Sequence, residues 1–539
     1  DTVSIIFVNG EPVGVCRNGS KLCDRYRALR RNGKVVQKHT TIALDIGTGD
    51  IKFELDVGRL RRPLLIVDNN YEEYKENRKA RQAYINKNGN DGAPKLINFV
   101  QNVRITKKHL DDLSTKTIQL DDLVSQGIVE YITPAESENC YVAENIACLK
   151  LHKNNPTQIF THCDTSQAIF GFPALVSPFA NHTQPARVSY ETGQARQAGG
   201  WYANNAPFRM DQNKFFQYFV EHPLVETITN KITPANGSNL IVAYRCSGNN
   251  QEDSAEISRT SSDRGMLCGA FYKTEYIELE QSQSFAPLDK TNTIAIKTNA
   301  NYSKLDKNGI IKKGYIVYMG DILAGRRTTL SNPTSKGALY SDNSITYSSD
   351  EPAVVEEIIT EQPSSGAHYV MIKLRYERRL GVGDKVSTRS GNKSIVATEL
   401  QQSDMPYTMD GITPDLLINP HSLPTRMTIG QVIETKVSIL SGTKGITADG
   451  TAFLAVDHKK IEKDLIAAGF RGNGCQTMFD GKTGEYFDAA IFIGPTYEQR
   501  LLKFVLDDKQ AVGGTGPTDA ITGQARPGKH IKGGLRFGE

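Results

Sequence analysis

Gly383-Asp-Lys-Val-Ser-Thr-Arg-Ser-Gly-Asn-Lys-Ser394 is the stretch on which the reading of this chain turns. Lys385 and Lys393 stand eight residues apart with Arg389 midway, and Asp384 is the only acid among them. Cations held this close repel one another, so a folded chain tolerates them best where an anion arrives. Gly381, Gly383 and Gly391 flank them, and glycine lets backbone approach that anion with no side chain in the way. Read alone, the triplet fits a phosphate site or a solvated basic hairpin. Two polar, proline-marked runs follow, Asp404-Met-Pro-Tyr-Thr-Met-Asp-Gly-Ile-Thr-Pro-Asp415 and Ile418-Asn-Pro-His-Ser-Leu-Pro-Thr-Arg-Met-Thr-Ile-Gly-Gln431.

Around that stretch lies a chain of 539 residues, long enough for about three or four domains at ~100–200 residues each. Charged residues make up 23% and hydrophobic ones 38%, within the ordinary globular range. The formal net charge is only +4, so nucleic-acid contacts must come from local concentrations of charge. Candidates are Arg25, Arg27, Arg30, Arg31 and Lys34, then Arg59, Arg61 and Arg62, then the end from Arg526 to Arg536; each also reads as a solvated face. The 8 cysteines include no Cys-x-x-Cys and no zinc spacing. Free thiols in a reducing cytoplasm are expected, with no zinc. No apolar run is long enough to span a membrane. The chain starts at Asp1 rather than Met, which suggests a processed product or part of a larger polypeptide.

Strand-like alternation dominates. Val3 to Gly14 reads as two strands around Asn9-Gly10. Helices are expected over Lys21 to Arg31, Tyr71 to Tyr84 and Lys459 to Gly469, and a strand over Tyr369 to Arg375. Asn86 to Pro94 and Ser331 to Asp350 read as loops, and Lys304 to Gly325 as strand-turn-strand. Asp111-Asp112 and Asp121-Asp122 read as helix-start carboxylates rather than metal ligands. Gly481-Lys482-Thr483 suggests a phosphate-binding P-loop, but that motif needs glycine where Gln476 stands, so a β-hairpin turn is expected. His162, Cys163 and Asp164 are too adjacent to close a metal site by themselves.

Three further blocks accompany the lysine stretch. Ser177-Pro-Phe-Ala-Asn-His-Thr-Gln-Pro-Ala-Arg187 leads to Arg196-Gln197, and Gly248-Asn-Asn-Gln-Glu-Asp-Ser254 leads to Ser262-Asp-Arg-Gly265. The last runs from Ile493-Gly-Pro-Thr-Tyr-Glu-Gln-Arg-Leu501 to Gly533-Gly-Leu-Arg-Phe-Gly-Glu539. Taken alone, Glu252-Asp253 would also serve as a turn cap. In this order the blocks resemble the β subunit, the second-largest subunit, of multisubunit DNA-dependent RNA polymerases, over nearly the whole chain.

The resemblance implies a mixed α+β, β-rich multidomain fold with a double-psi β-barrel in the C-terminal half. It implies an external region over 1–150 and hybrid-binding parts over 151–275 and 376–510, the second carrying the lysines. A wall or flap element would fill 276–375, and 511–539 would begin an anchor segment. Lys385 and Lys393 match positions against the RNA 3′ end and nucleotide phosphates, and Arg187 and Arg426 match triphosphate contacts. Glu252 and Asp253 match a pair beside the nucleotide and its second magnesium. Arg196, Gln197, Arg389, Lys509 and Arg536 would meet nucleic acid. The family's Asn-Ala-Asp-Phe-Asp-Gly-Asp triad for catalytic Mg2+ is absent here, so a β′ partner is expected to supply it, with no metal held by this chain alone.

The other implied partners are DNA template, RNA transcript, nucleoside triphosphates, an N-terminal β portion, a further C-terminal β segment, assembly subunits and an initiation factor. Departures mark the chain. Ser390 and Ser394 replace the family's usual His and Gly, and 509–517 lacks the usual His-Ala-Arg-rich segment. The chain also stops at Gly538-Glu539 and lacks the family's N-terminal lobes, which suggests a split β, and the substitutions favour a viral, bacteriophage-like origin, acting in the host cytoplasm. The rival readings are a non-catalytic assembly scaffold derived from β and a plain nucleic-acid-binding module; the second would call for more charge and stacked aromatics.

Overall fold

The computed structural model describes residues 3–33, 35–88, 92–165, 169–287, 289–331, 339–361, 368–512, 514, 516–529, 531 and 533–535. Two compact units divide the chain, Asp1–Gly171 and Phe172–Glu539. Both mix helices with a majority of strands, the β-rich α+β class expected.

In the first unit, strands Ser4–Val8 and Glu11–Cys16 pair antiparallel across Asn9-Gly10. Both turn residues take positive φ, 50° and 88°, the conformation a tight hairpin needs and the one Asn and Gly tolerate. Helix Gly19–Asn32 follows, opened by the Asn18 side chain and closed at Gly33, so the expected helix is present. Strands Ile51–Glu54 and Thr41–Leu44 complete the sheet, and Ile42, Ile51 and Phe53 pack on Cys23 of the helix. A second sheet is built on Arg62–Asn69 and covers Leu65, Val67, Val129 and Cys163.

Helix Tyr71–Asn88 runs past the expected end at Tyr84 and into the expected loop. Asp121 and Asp122 do open a helix, Leu120–Ser125. Asp111 and Asp112 do not: they stand in the second half of Lys107–Ser114. The start of that helix is held instead by the Thr106 amide donating to His109 Nδ1 at 3.2 Å. His162 and Asp164 serve packing, against Glu130 at 3.2 Å and Arg62 at 2.6 Å.

The second unit is organised by six strands whose pairings close on themselves. In ring order they are Ser238–Tyr244, Leu416–Ile418, Ser254–Ser258, Lys393–Leu400, Lys385–Thr388 and Ile491–Arg500, which pairs back to the first. Parallel and antiparallel neighbours are mixed in this barrel. Alternation along each strand divides the side chains. Val242, Tyr244, Ile257, Val386, Val396, Leu416 and Ile418 meet in one core, while Ala243, Leu417, Ile491 and Ile493 pack with Met405 and Met478 in another. Helix Ile429–Lys444 lies against the long strand, with most of its length buried.

A separate antiparallel sheet joins Lys214–Gln217, Gly269–Glu278, Tyr369–Arg378, Ala353–Glu361 and Ile316–Val317. Helix His458–Ala467 forms where expected, and Asp480 donates to the Glu485 carbonyl at 2.8 Å in the expected hairpin. The expected loop 331–350 is only partly one. Tyr340–Asp342 and Ile345–Thr346 are strands, because each finds a partner, at Arg326–Thr329 and Ile322–Ala324; residues 332–338 lie outside the described set. All eight cysteines are free thiols. Among the described residues no helix is long and apolar enough to cross a membrane.

Candidate nucleotide-phosphate site

The lysine stretch is a hairpin of the barrel. Lys385 faces Ile395 and Ser387 faces Lys393 across it. Because Val386 and Val396 point into the core, alternation turns Lys385 and Lys393 outward. The turn carries Gly391 at φ 78°, and a Cβ there would fall 2.2 Å from the Arg187 carbonyl oxygen. Glycine is thus required twice, by conformation and by the backbone laid against it.

That neighbouring backbone opens helix Pro185–Arg196, which begins on a proline suited to a first helical turn. Arg187 Nη1 donates to the Gly391 carbonyl at 3.3 Å and Gln194 Nε2 to the same oxygen at 3.5 Å. The Ser387 hydroxyl in turn donates to Gln194. Arg187 is thereby fixed over the turn between the two lysine strands.

Asp253 arrives from the neighbouring strand. Ser254 pairs with Ile395, and the Asp253 carbonyl accepts from the Ile395 amide at 2.9 Å. Its carboxylate contacts the Arg426 guanidinium. Arg426 ends helix Ser422–Arg426, and the segment after it is stitched to the one before Arg187 by the Gln184 amide donating to the Met427 carbonyl at 3.3 Å. Burial lowers the pKa of Arg426, and the positive charge of Arg187 adds to the effect. Glu252 and Asp253 are both exposed.

Lys385 is pushed down in pKa by burial first, then by Lys393 and Lys503, with Asp508 opposing. Lys503 stands two residues past Leu501, whose amide donates to the Lys385 carbonyl at 2.9 Å, which brings it beside the lysine pair. It follows the last barrel strand, and no motif in the sequence marks it. Gln194 and Asn392 were missed as well. Asn392 is 5% exposed; its Nδ2 donates to Thr428 at 3.0 Å and Gln431 at 2.6 Å, and Gln431 donates to the Tyr244 hydroxyl at 2.7 Å. This amide chain anchors the hairpin tip to the helix behind it.

Arg389 is a correction. It is 0% exposed, ion-paired to Glu434 at 2.6 Å and stacked over Tyr497 at 4.9 Å. The turn is pinned from outside by the Ser177 hydroxyl donating to the Arg389 carbonyl at 2.6 Å, so this guanidinium faces the interior and offers nucleic acid nothing. Arg196 and Gln197 are exposed at the far end of the helix that starts beside Arg187, about 14 Å along its axis at 1.5 Å per residue. Lys509 is exposed beyond the barrel strands. Arg536 and Lys34 lie outside the described residues.

Five cationic heads from four separated segments thus gather around one hairpin, and among the described residues Asp253 and Asp508 are the carboxylates ion-paired with them. Guanidinium forks grip phosphate oxygens in pairs, and ammonium groups add point charge. Mg2+ needs a shell of oxygen ligands. Glu252 and Asp253 offer two carboxylates, one already engaged by Arg426. Among the described residues no three His, Cys, Asp or Glu side chains gather to hold a metal, so this side-chain set does not by itself fit a complete magnesium site.

Comparison with known proteins gives the family. The family model for RNA polymerase Rpb2, domain 6, matches residues 173–531, and that for RNA polymerase Rpb2, domain 4, matches residues 6–68. DNA-directed RNA polymerase II subunit 2 of Arabidopsis thaliana is 33% identical over 558 residues, covering 99% of this chain and 44% of the relative. Subunit RPB2 of Encephalitozoon cuniculi is 34% identical, covering 100% and 46%. DNA-directed RNA polymerase subunit Rpo2 of Saccharolobus shibatae is 30% identical, covering 99% and 46%. The chain spans a little under half the length of these relatives.

Proposed function

Because this chain belongs to the Rpb2 family, the second-largest or β subunit of multisubunit RNA polymerases, we propose that it forms one side of the active centre of a DNA-directed RNA polymerase. In this reading Arg187 and Arg426 hold the triphosphate of the incoming nucleotide. Lys385 and Lys393 hold the RNA 3′ end and the nucleotide phosphates, with Lys503 adding charge. Arg196, Gln197, Lys509 and Arg536 lie along the nucleic acid, and the closed barrel is of the double-psi kind. The domain divisions at 150, 275, 375 and 510 go with the same proposal.

The RNA 3′ oxygen bonds to the α-phosphorus as the bond to pyrophosphate breaks. Pyrophosphate leaves with its negative charge, and fixed cations around it lower the barrier. Glu252 and Asp253 border the nucleotide. Magnesium, which supplies Lewis-acid chemistry in this enzyme class, is assigned chiefly to the β′ partner, so the chain alone is inert.

The observation that carries this reading is the convergence of Arg187, Asp253, Lys385, Lys393 and Arg426 from distant segments onto one hairpin. A scaffold needs no such convergence. The test is single-nucleotide addition by the complex reconstituted with its partners. Lys385→Ala is expected to slow addition by about 10²-fold, the usual loss when one preorganised charge is removed. Unchanged elongation kinetics would take the lysine out of the mechanism and favour the scaffold.

A further inference from the structure

The first unit contains a cavity of about 450 Å³ that the proposal above does not use. Lys38, His39, Arg59 and Arg61 line it, with Leu60, Val124 and Tyr131 completing the wall, and no carboxylate lines it. The lining comes from four places in the framework. Lys38 and His39 precede strand Thr41–Leu44, and Arg59 to Arg61 precede strand Arg62–Asn69. Val124 belongs to helix Leu120–Ser125 and Tyr131 to strand Val129–Ile132. The basic groups thus come from two connecting segments, and a helix and a strand supply the rest of the wall.

Two of the cations lack a neutralising partner among the described residues. Lys38 Nζ contacts the Ser125 hydroxyl, and Arg61 Nη2 donates to the Val57 carbonyl at 3.2 Å. Neither has a carboxylate partner among the described residues. Arg59 is paired with Glu54 at 2.9 Å and reaches Asp56 at 3.7 Å. Its Nη1 is nevertheless shut off from solvent with no hydrogen-bond partner among the described residues. A buried guanidinium nitrogen without an acceptor is costly, so the Arg59 head is incompletely satisfied by its two carboxylates.

The volume exceeds what a bare phosphate fills. Leu60, 83% exposed at the rim, and the Tyr131 ring offer apolar surface beside the cations. We propose that this cavity binds a phosphate group carried on a flat, partly apolar body, the chemistry of a nucleotide. The source is either a free nucleotide or the end of a nucleic-acid strand. This inference stands on the first unit alone and is independent of the hairpin reading.

The test uses the full chain with Arg187→Ala, Lys385→Ala, Lys393→Ala, Arg426→Ala and Lys503→Ala together, which remove the five cations around the hairpin. Binding of a fluorescent nucleoside monophosphate is read by anisotropy, with a short single-stranded oligonucleotide as the second probe. Lys38→Ala and Arg61→Ala are each expected to weaken binding about tenfold or more, the scale of one charge-assisted hydrogen bond. Arg61→Lys should restore part of the loss, which separates a lost contact from a damaged fold. Tighter binding of the monophosphate supports the free source, and tighter binding of the oligonucleotide supports the strand end. No binding of either probe, or equal affinity in Lys38→Ala, Arg61→Ala and their parent, overturns the site.

Discussion

Arg30 in the first unit and Arg389 in the barrel are both buried, at 3% and 0% exposure, yet they face opposite surroundings. Arg30 donates to Glu136 at 2.6 and 2.8 Å and contacts Glu130. Arg31 adds a bond to Glu130 at 3.0 Å, Arg27 reaches Glu136 at 3.4 Å, and His162 caps Glu130 at 3.2 Å. Two carboxylates there meet three guanidinium groups. Arg389 meets the reverse: Glu434 is its ion-pair partner, and Glu191 and Glu498 are coupled to the same group of charges. Both Glu191 oxygens, Glu434 Oε2 and Glu498 Oε1 have no hydrogen-bond partner among the described residues. The first cluster is a clasp whose carboxylates are saturated. The second is a support short of positive charge, and its members come from the elements that carry the cations of the proposed phosphate site. Glu191 comes from the Arg187 helix, Arg389 from the lysine hairpin and Glu434 from the helix that follows Arg426.

The largest effect should come from removing the cation that has no substitute. Arg389→Met leaves Glu434 buried without its partner, beside two more acids. Breaking a buried pair from one side costs about 3–5 kcal/mol, and the upper part of that range is expected. Hydrogen exchange of amides in Lys385–Thr388 and Lys393–Leu400 would report it. Arg30→Met should cost less, because Arg27, Arg31 and His162 remain beside Glu130 and Glu136. If Arg30→Met opens its own strands as much as Arg389→Met opens the hairpin, the contrast between clasp and support fails.

Glu130→Gln probes the clasp from the acid side. Burial pushes the Glu130 carboxyl up, but His162, Arg30 and Arg31 overcome that and hold it well below the ordinary range. A carboxyl whose pKa is depressed by folding contributes stability above its unfolded value, near 4.5, and loses it as pH falls towards the folded value. Glu130→Gln should therefore destabilise the first unit by about 3 kcal/mol at neutral pH. Urea unfolding should show the gap from the parent chain narrowing as pH drops below that point. A gap that stays constant down to strongly acid pH would mean that the Glu130 charge contributes nothing.

Legibility in the sequence followed distance along the chain. The Asn9-Gly10 turn, the Gly33 helix end and the Asp480 hairpin depend on residues within one turn of each other, and local rules found them. Lys385 and Lys393 were visible as a charge pattern, but their outward direction rests on Val386 and Val396 finding a core. A barrel was expected from the resemblance, but its closure was not visible in the periodicity. It needs Ser238–Tyr244 to pair with both Leu416–Ile418 and Ile491–Arg500, one of them only three residues long, and no periodicity marks so short a strand. Arg389 misled for a related reason. Its character is set by Glu434, 45 residues on, and a run of charges reads as surface until its partner is known. The family resemblance located Arg187, Asp253 and Arg426; spacing alone could not have joined them.

The smallest effect is the one most particular to the support. Glu191 is completely buried, and burial raises its carboxyl pKa well above the usual value; Arg389 opposes this and Glu434 adds to it. For an acid raised by folding the sign is reversed from Glu130. The folded state binds the extra proton, so its stability declines as pH rises above the unfolded value of about 4.5. Glu191→Gln keeps shape and removes the ionisation, so at low pH it should change stability by no more than about 1.5 kcal/mol, the scale of a volume-conserving core swap. Its signature is a flatter pH profile, with the variant gaining on the parent chain as pH rises. Glu130→Gln loses ground over the same change of pH. Opposite slopes from two buried glutamates are what a saturated and an undersaturated cluster demand. Parallel slopes would show that Arg389 compensates its carboxylates as fully as the three arginines of the first unit do theirs.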